Sequence, residues 1–269
     1  MKTLAGIGLS DVQSVYAGPE GELWELLMGQ QIHIGGFASS LDLARQADIR
    51  AGMSGVDLCC CTGAGMRFLV QFCGVAHMRG VDATPRVVEL GQSRCEREGL
   101  SDRIQFILAD VCWSGLGDNS ADFVWGEDAW CYVVDKPRLI AEAARITRRG
   151  GVIAFTDWIE GPVGLSQEEA DRFLRFMKFP GIQDLEGYPR LLADSECEVL
   201  VAADTGRFAP YASLYRNMLR MQLTYDALRL LGFDQAILES VHGELQFVEA
   251  LAQAGRIAQG LFVARKRSG

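Results

Sequence analysis

"VDLCCCTGAG", Val56 to Gly65, places three adjacent cysteines between an apolar run and two closely spaced glycines. A hydrophobic stretch running straight into small residues reads as a strand that passes through a tight turn into a helix. Three readings compete for the cysteines: a metal site, a redox site, or a turn that binds a ligand. The other cysteines, Cys73, Cys95, Cys112, Cys131 and Cys197, form no CxxC pair, and the only histidines are His33, His77 and His242. A structural zinc site needs about four convergent ligands, usually in close pairs. Neighbours on a strand point to opposite faces, so Cys59, Cys60 and Cys61 do not readily share one ion. The expectation is no metal, reduced and buried thiols, and a turn whose glycines let a ligand approach the backbone.

Working outward from the turn, short apolar runs alternate with longer amphipathic ones. "GVDLCC" is read as a strand, Gly65 to Cys73 as a helix, and "AHMRGVD" as a second strand ending at Asp82. Pro85 to Glu98 follows as a helix with proline at its start and Thr84 as the expected N-cap. "RIQFILAD", "SADFVWG" and "GVIAFTDW" read as the next three strands. A helix over Pro137 to Thr147 precedes the last of these and is expected to stop at "RRGG". Ser166 with Glu169 three residues later is a capping box for a helix reaching Phe179. "CEVLVAAD" and "GLFVARK" read as two late strands, with helical sequence over roughly 211–254 between them. The alternation predicts a Rossmann-like, doubly wound α/β fold with a mostly parallel, seven-stranded sheet. One domain is expected: a helical N-terminal lid over 1–50, a core over 51–204 and 257–269, and a helical cap insertion over 205–256.

Composition narrows the function. The chain has 269 residues, 49% of them hydrophobic, which is enough for a full core. Its formal net charge of −9 repels phosphate backbones and anionic lipid, so nucleic acid and membrane surfaces are not expected partners. No run approaches the roughly 20 apolar residues of a membrane helix, and no signal peptide is read at the N-terminus. A cytoplasmic protein acting on a small molecule is expected, and a homodimer stays open.

In an open parallel sheet, ligands bind beyond the carboxyl ends of the strands. A dinucleotide turn would read GxGxxG, but Phe68 stands where the third glycine belongs. A nicotinamide oxidoreductase is therefore disfavoured, although an acid does follow the turn at the distance such enzymes use. A different pattern fits. "GVDLCCCTG" resembles the first motif of the class I S-adenosylmethionine-dependent methyltransferases, V-L-D-L-G-C-G-T-G. Asp57, Leu58, Cys60, Thr62 and Gly63 stand at matching positions, and Cys59 and Cys61 replace two glycines. "GVDATPRVVELGQ", "FILAD", "FVWGEDAW" and "EAARITRRGGVIAFTD" resemble the family's later motifs in the right order. The resemblance covers about residues 55–157. It implies S-adenosylmethionine as cofactor and S-adenosylhomocysteine as product.

It also implies roles. Asp82, beside Ala83, would accept the ribose hydroxyls; Asp110 and Val111 would hold the adenine; Asp57, Cys59, Cys61, Gly63 and Glu127 would line the path to the sulfonium. Taken singly, each acid is equally well a solvated strand end or a helix cap. "YAGPEGELWELLMGQQIHIGGF" resembles the lid of the phosphoethanolamine and glycine/sarcosine N-methyltransferase groups, with Tyr16, Ile32, His33, Ile34, Gly35 and Gly36 at comparable places. "WGEDAWCYVVDKPRLI" resembles the phosphoethanolamine type's acceptor segment: Asp128 matches an acid that faces the amine, and Tyr132 stands where that group has a catalytic histidine. Tyr132, Asp128 and His33 are thus the catalytic candidates, and Trp130, Trp158, Tyr211 and Tyr215 the candidates for lining the acceptor pocket. All have plainer readings as caps or packing.

The function expected is methyl transfer to a small-molecule acceptor, most readily at an amine nitrogen. Carbon or oxygen methylation of an apolar, quinone- or polyketide-like acceptor is the runner-up. A non-catalytic binding module that lost cofactor affinity through Cys59 and Cys61 is the third reading. Arg207, Arg216 and Arg220 are the insertion residues that could bind an anionic acceptor.

Overall fold

The computed structural model describes residues 1–268. In chain order, the segment before the core comprises β1 (Lys2–Thr3), α1 (Leu9–Ala17), α2 (Pro19–Met28) and α3 (Gly36–Gln46). The core follows as β2 (Ser54–Leu58), α4 (Ala64–Phe72), β3 (His77–Asp82), α5 (Pro85–Arg97), β4 (Ile104–Leu108), β5 (Ala121–Glu127), α6 (Lys136–Ile146) and β6 (Thr147–Glu160). Then come α7 (Gln167–Met177), β7 (Gly181–Asp184), α8 (Gly187–Asp194), β8 (Cys197–Asp204), α9 (Phe208–Met221), α10 (Thr224–Leu230), α11 (Gln235–Gln253) and β9 (Ile257–Lys266).

Seven strands form the main sheet in the order β4-β3-β2-β5-β6-β9-β8. The first five are parallel, and β9 runs antiparallel between β6 and β8. The order reverses between β2 and β5, which opens a crevice at their carboxyl ends. The central strands are apolar on both faces, as parallel strands covered by helices must be: Val56, Leu58, Val81, Phe123, Val124, Trp125, Ile153, Ala154 and Phe155 are all fully buried.

Several local expectations are corrected. β7 and β1 are extra strands, too short to carry a periodic signal; β7 pairs with the end of β6, and β1 adds to β7. "RRGG" does not stop a helix in a turn. It lies within β6, where Thr147 pairs with Ala121 and the register then shifts to Phe123 with Val152. α6 is capped by Asp135, whose carboxylate accepts from the Arg138 N–H at 2.9 Å. Thr84 occupies the cap position of α5, but its side chain makes no cap bond. The capping box of α7 forms as expected, with Glu169 N–H to Ser166 Oγ at 3.2 Å and Ser166 N–H to Glu169 Oε2 at 2.8 Å.

The segment before β2 and the helices between β8 and β9 share one apolar cluster. Val15, Leu23, Trp24, Leu27 and Ile34 meet Trp158, Phe173, Phe179, Phe208, Tyr215 and Leu219 there. No helix among the described residues is long and apolar enough to cross a membrane.

Candidate active site

The turn after β2 is built on left-handed backbone. Cys59 has φ +66°, Cys61 φ +48° and Gly63 φ +73°. For a side-chain-bearing residue this conformation costs about 1–2 kcal/mol. Hydrogen bonds hold it in place: Cys59 N–H to the Val81 carbonyl at 2.9 Å, Cys61 N–H to Asp82 Oδ2 at 2.9 Å, and Gly63 N–H to the Cys60 carbonyl at 2.8 Å. The cysteines diverge. Cys59 packs against the cluster containing Val124 and Phe155, and Cys60 joins the one containing Met66 and Phe68. Burial, reinforced by the nearby Asp82, pushes all three thiols up, so they stay protonated and unreactive.

The turn opens on a cavity of about 320 Å³ at the carboxyl ends of β2, β3 and β5. Asp57, Cys59, Cys61, Asp82, Ala83, Asp110, Val111, Glu127, Asp128, Tyr16, His33 and Tyr132 all line it. Asp82 is set by two backbone donors, Cys61 N–H to Oδ2 and Thr84 N–H to Oδ1, both at 2.9 Å. Its pKa is raised by burial against the pull of those donors. Asp110 caps the short turn Val111–Trp113 by accepting from the Cys112 N–H at 2.8 Å. Beside it the Arg138 guanidinium lies 3.6 Å above the Trp113 ring, and both side chains line the cavity.

Carboxylates crowd the inner end. Asp57 is buried, and its pKa is raised well above the ordinary range, first by burial and then by Glu127 and Asp82. Gly65 lies between these groups. A Cβ there would sit 2.7 Å from Glu127 Oε2, 3.2 Å from Trp125 Nε1 and 3.4 Å from Asp57 Oδ2. Trp125 Nε1 is buried with no hydrogen-bond partner, and Glu127 Oε1, also buried, faces the His33 imidazole at 3.4 Å without a hydrogen bond. Crowded acids and orphaned polar atoms beside a residue without a side chain fit a cationic, hydrogen-bonding group. Six of the lining residues are Asp or Glu, and Arg138 is the sole Lys or Arg among them.

A strap over residues 30–36 closes the other side. Asp128, at φ +50°, accepts from the Ile34 N–H at 2.8 Å. Gln259, fully buried on β9, donates to both Asp128 oxygens at 2.9 and 2.8 Å and to the Ile34 carbonyl at 3.0 Å. The Gly35 N–H donates to Tyr215 Oη at 3.3 Å. His33 places Nε2 3.2 Å from Ser40 Oγ and 3.4 Å from Glu127 Oε1. Tyr16 donates through its hydroxyl to Tyr132 Oη at 3.0 Å. Burial, the largest cause for each, holds both phenols well above their usual range, so neither ionises near neutral pH.

The structure separates the candidates. Trp130 is not at the cavity: it is buried, stacks on Phe155 at 4.0 Å and donates through Nε1 to the Leu58 carbonyl. Trp158 is walled in by Phe173, Phe179 and Phe208. Tyr215 holds the strap from behind, and Tyr211 packs beside it. None of these four lines the cavity. Ile34, within the strap, is buried and does not line the cavity, and Gly63 lies under the turn, where a Cβ would meet Phe106 at 2.5 Å. Arg207 pairs with Asp42 and Arg216 with Glu249, and no insertion arginine reaches the cavity. Sequence reasoning missed Gln31, Trp113, Arg138 and Gln259. Trp113 and Arg138 had a signal, since Trp113 stands just past Asp110 and Arg138 at a helix start facing it; Gln259, inside an apolar strand, had none.

Comparisons with known proteins agree on the architecture. Residues 56–155 match the family described as Methyltransferase domain. Methyltransferase GfsG of Streptomyces halstedii is 26% identical over 60% of this chain and 59% of its own length. Phosphoethanolamine N-methyltransferase 1 of Triticum aestivum is 25% identical over 90% of this chain and 48% of its own. The chain thus spans about half the length of the curated relatives it matches. Among solved structures, phosphoethanolamine N-methyltransferase 2 of Haemonchus contortus, in complex with phosphomonomethylethanolamine and S-adenosylhomocysteine, superposes with a TM-score of 0.83 at 19% identity. That match covers 95% of this chain and 58% of the other.

Proposed function

We propose that this chain, in which residues 56–155 form a methyltransferase domain, transfers a methyl group from S-adenosylmethionine to a small, non-anionic acceptor, most readily an amine nitrogen. The observation that carries the reading is Asp82: a carboxylate at the end of β3 that is aimed by two backbone N–H groups and still lines the cavity. In this reading Asp82 takes the ribose hydroxyls, Asp110 and Val111 the adenine between Trp113 and the turn, and Asp57 and Glu127 the ammonium of the amino-acid end. The bound sulfonium supplies an already activated methyl group. The chain's own task is then approach geometry and exclusion of water.

The strap and the Tyr16–Tyr132 pair close the reacting end. Tyr132 keeps its proton, so it orients the acceptor rather than deprotonating it. Asp128 is a strap anchor, with its oxygens committed to Ile34 and Gln259. His33 is the imidazole on the lining, and imidazole can take the proton that an ammonium acceptor must shed. Six lining acids against one arginine disfavour a phosphorylated acceptor. The apolar rim of Leu9, Val12, Ile32, Val133 and Val134 supports a second reading, carbon or oxygen methylation of an apolar acceptor. All eight cysteines are free thiols, which supports a reducing, cytoplasmic compartment.

Calorimetry with S-adenosylhomocysteine tests the cofactor. A screen of amines, phenols and quinols for release of S-adenosylhomocysteine tests the acceptor. Absence of nucleoside binding overturns the methyltransferase reading; turnover of quinols alone overturns the amine preference.

A further inference from the structure

Thr62, in the turn after β2, is held by two arginines through both of its oxygens. Arg67 on α4 donates to the Thr62 carbonyl at 2.6 Å, and Arg94 on α5 donates to Thr62 Oγ1 at 3.1 Å. Each guanidinium also reaches the segment that covers the cavity. Arg67 donates to Gln30 Oε1 at 2.7 Å, where the strap begins. Arg94 donates to both carboxylate oxygens of Glu25 on α2, at 2.7 and 2.9 Å. Thr62 and Arg67 are buried, and the Arg94 side chain is only 11% exposed. Gly91 lets α5 lie this close, since a Cβ there would sit 3.0 Å from the Thr62 carbonyl. A guanidinium is a rigid fork, so one that engages both turn and cover fixes the distance between them. Thr62 and Gln30 line the cavity; Arg67, Arg94 and Glu25 do not. The arginines and Glu25 therefore act on a bound nucleoside only through what they hold.

We propose that Arg67 and Arg94 are positioning residues of the nucleoside site, tying the turn to the cover, and that the Glu25–Arg94 ion pair sets the rate at which the nucleoside enters and leaves. This rests on the cofactor reading above and extends it to exchange of the cofactor. α2 joins α1 to the strap, and both of those supply lining residues, Leu9, Val12 and Tyr16 from α1 and Gln30 to His33 from the strap. Breaking the pair at Glu25 thus frees the cover without removing any group from the lining. A tie made wholly within the protein holds the cover closed whether or not a ligand is bound. Its loss speeds entry and release together and leaves affinity, the ratio of the two, level.

The test uses the full chain and S-adenosylhomocysteine. Calorimetry gives the Kd, and a chase of labelled ligand with excess unlabelled ligand gives the release rate; the association rate is the release rate divided by Kd. Glu25→Gln is expected to speed release about fivefold, the upper end of what a partly exposed ion pair supplies, with Kd within about twofold of wild type. Retained affinity doubles as proof that this variant folds. Arg94→Gln also frees Thr62 Oγ1, and is expected to speed release at least as much and to weaken Kd about threefold. The charge swap, Glu25→Arg with Arg94→Glu, keeps an ion pair at the same place, and the Thr62 hydroxyl can donate to the new carboxylate; release is expected to return to within about twofold of wild type. An unchanged release rate in Glu25→Gln overturns the assignment. So does faster release with a proportionate loss of affinity, which marks an ordinary structural contact, and so does a swap that exchanges as fast as the single variants. An Arg94→Gln Kd equal to wild type overturns the positioning of the turn. Wild-type protein that binds no S-adenosylhomocysteine overturns the cofactor reading, and the assignment with it; wild-type binding with unaltered exchange in the variants overturns the assignment alone.

Discussion

Replacing Asp82 with alanine is the sharpest probe of the site, because the structure separates its two effects. Each carboxylate oxygen already accepts one backbone N–H, from Cys61 and from Thr84, both at 2.9 Å. Hydrogen bonds to a charged group contribute about 1.5–3 kcal/mol each, and Asp82 is only partly buried, so water can replace part of what is lost. Asp82→Ala should therefore cost about 2 kcal/mol of stability, through a turn whose left-handed Cys61 has lost its anchor. The second effect is on binding. Two ribose hydroxyls on the remaining lone pairs, at the low end of that range, sum to about 3 kcal/mol, roughly a hundredfold in Kd. Asp82→Asn keeps one acceptor oxygen but turns an NH2 toward one of the two backbone donors, so it should lie between wild type and alanine in affinity. Urea unfolding measures the first effect, and calorimetry with S-adenosylhomocysteine the second. Both S-adenosylhomocysteine and 5′-methylthioadenosine should weaken, since both carry the ribose. An affinity within twofold of wild type, alongside lowered stability, would refute the ribose assignment and leave Asp82 as a turn staple.

Cys61→Gly removes a side chain from φ +48°, trading about 1–2 kcal/mol of left-handed strain against about 0.5–1 kcal/mol of unfolded-chain entropy. Stability should stay level or rise by up to about 1 kcal/mol in urea unfolding, with nucleoside affinity unchanged or tighter; complete loss of turnover would point to thiol chemistry instead. Tyr132→Phe breaks the bond to Tyr16 and should slow methyl transfer about tenfold, about 1.4 kcal/mol, with unchanged S-adenosylhomocysteine affinity. An unaltered rate would reduce Tyr132 to packing. Asp157 is buried, with its pKa raised to about 6, chiefly by burial, while bonds from Tyr188 and Cys131 pull the other way. Because its folded pKa lies above the unfolded one, the stabilising contribution is complete below about pH 4 and is lost as pH rises through 6, to the extent of about 3 kcal/mol. Asp157→Asn should flatten urea stability between pH 4 and 7; an unchanged slope would assign it to other groups.

The sequence by itself determined the βαβ order, the turn after β2, and the acids at the strand ends. These features are local. A strand's period, a turn's small residues and the carboxylate that follows them are written within ten residues of one another, so Asp57, Asp82, Asp110 and Glu127 could be placed from the text alone. The tertiary structure decided which aromatic side chains face the cavity and which face the core. Trp130, Trp158 and Tyr215 look as suited to a pocket as Tyr16 and Tyr132, and packing alone sends the first three elsewhere. It also decided that Asp128 is an anchor, because its partners, Ile34 and Gln259, lie 94 and 131 residues away in the chain. Contacts of that range depend on how a preceding segment, a strand-end loop and the ninth strand come together around one core. Periodicity within any one of those segments carries no information about the meeting point.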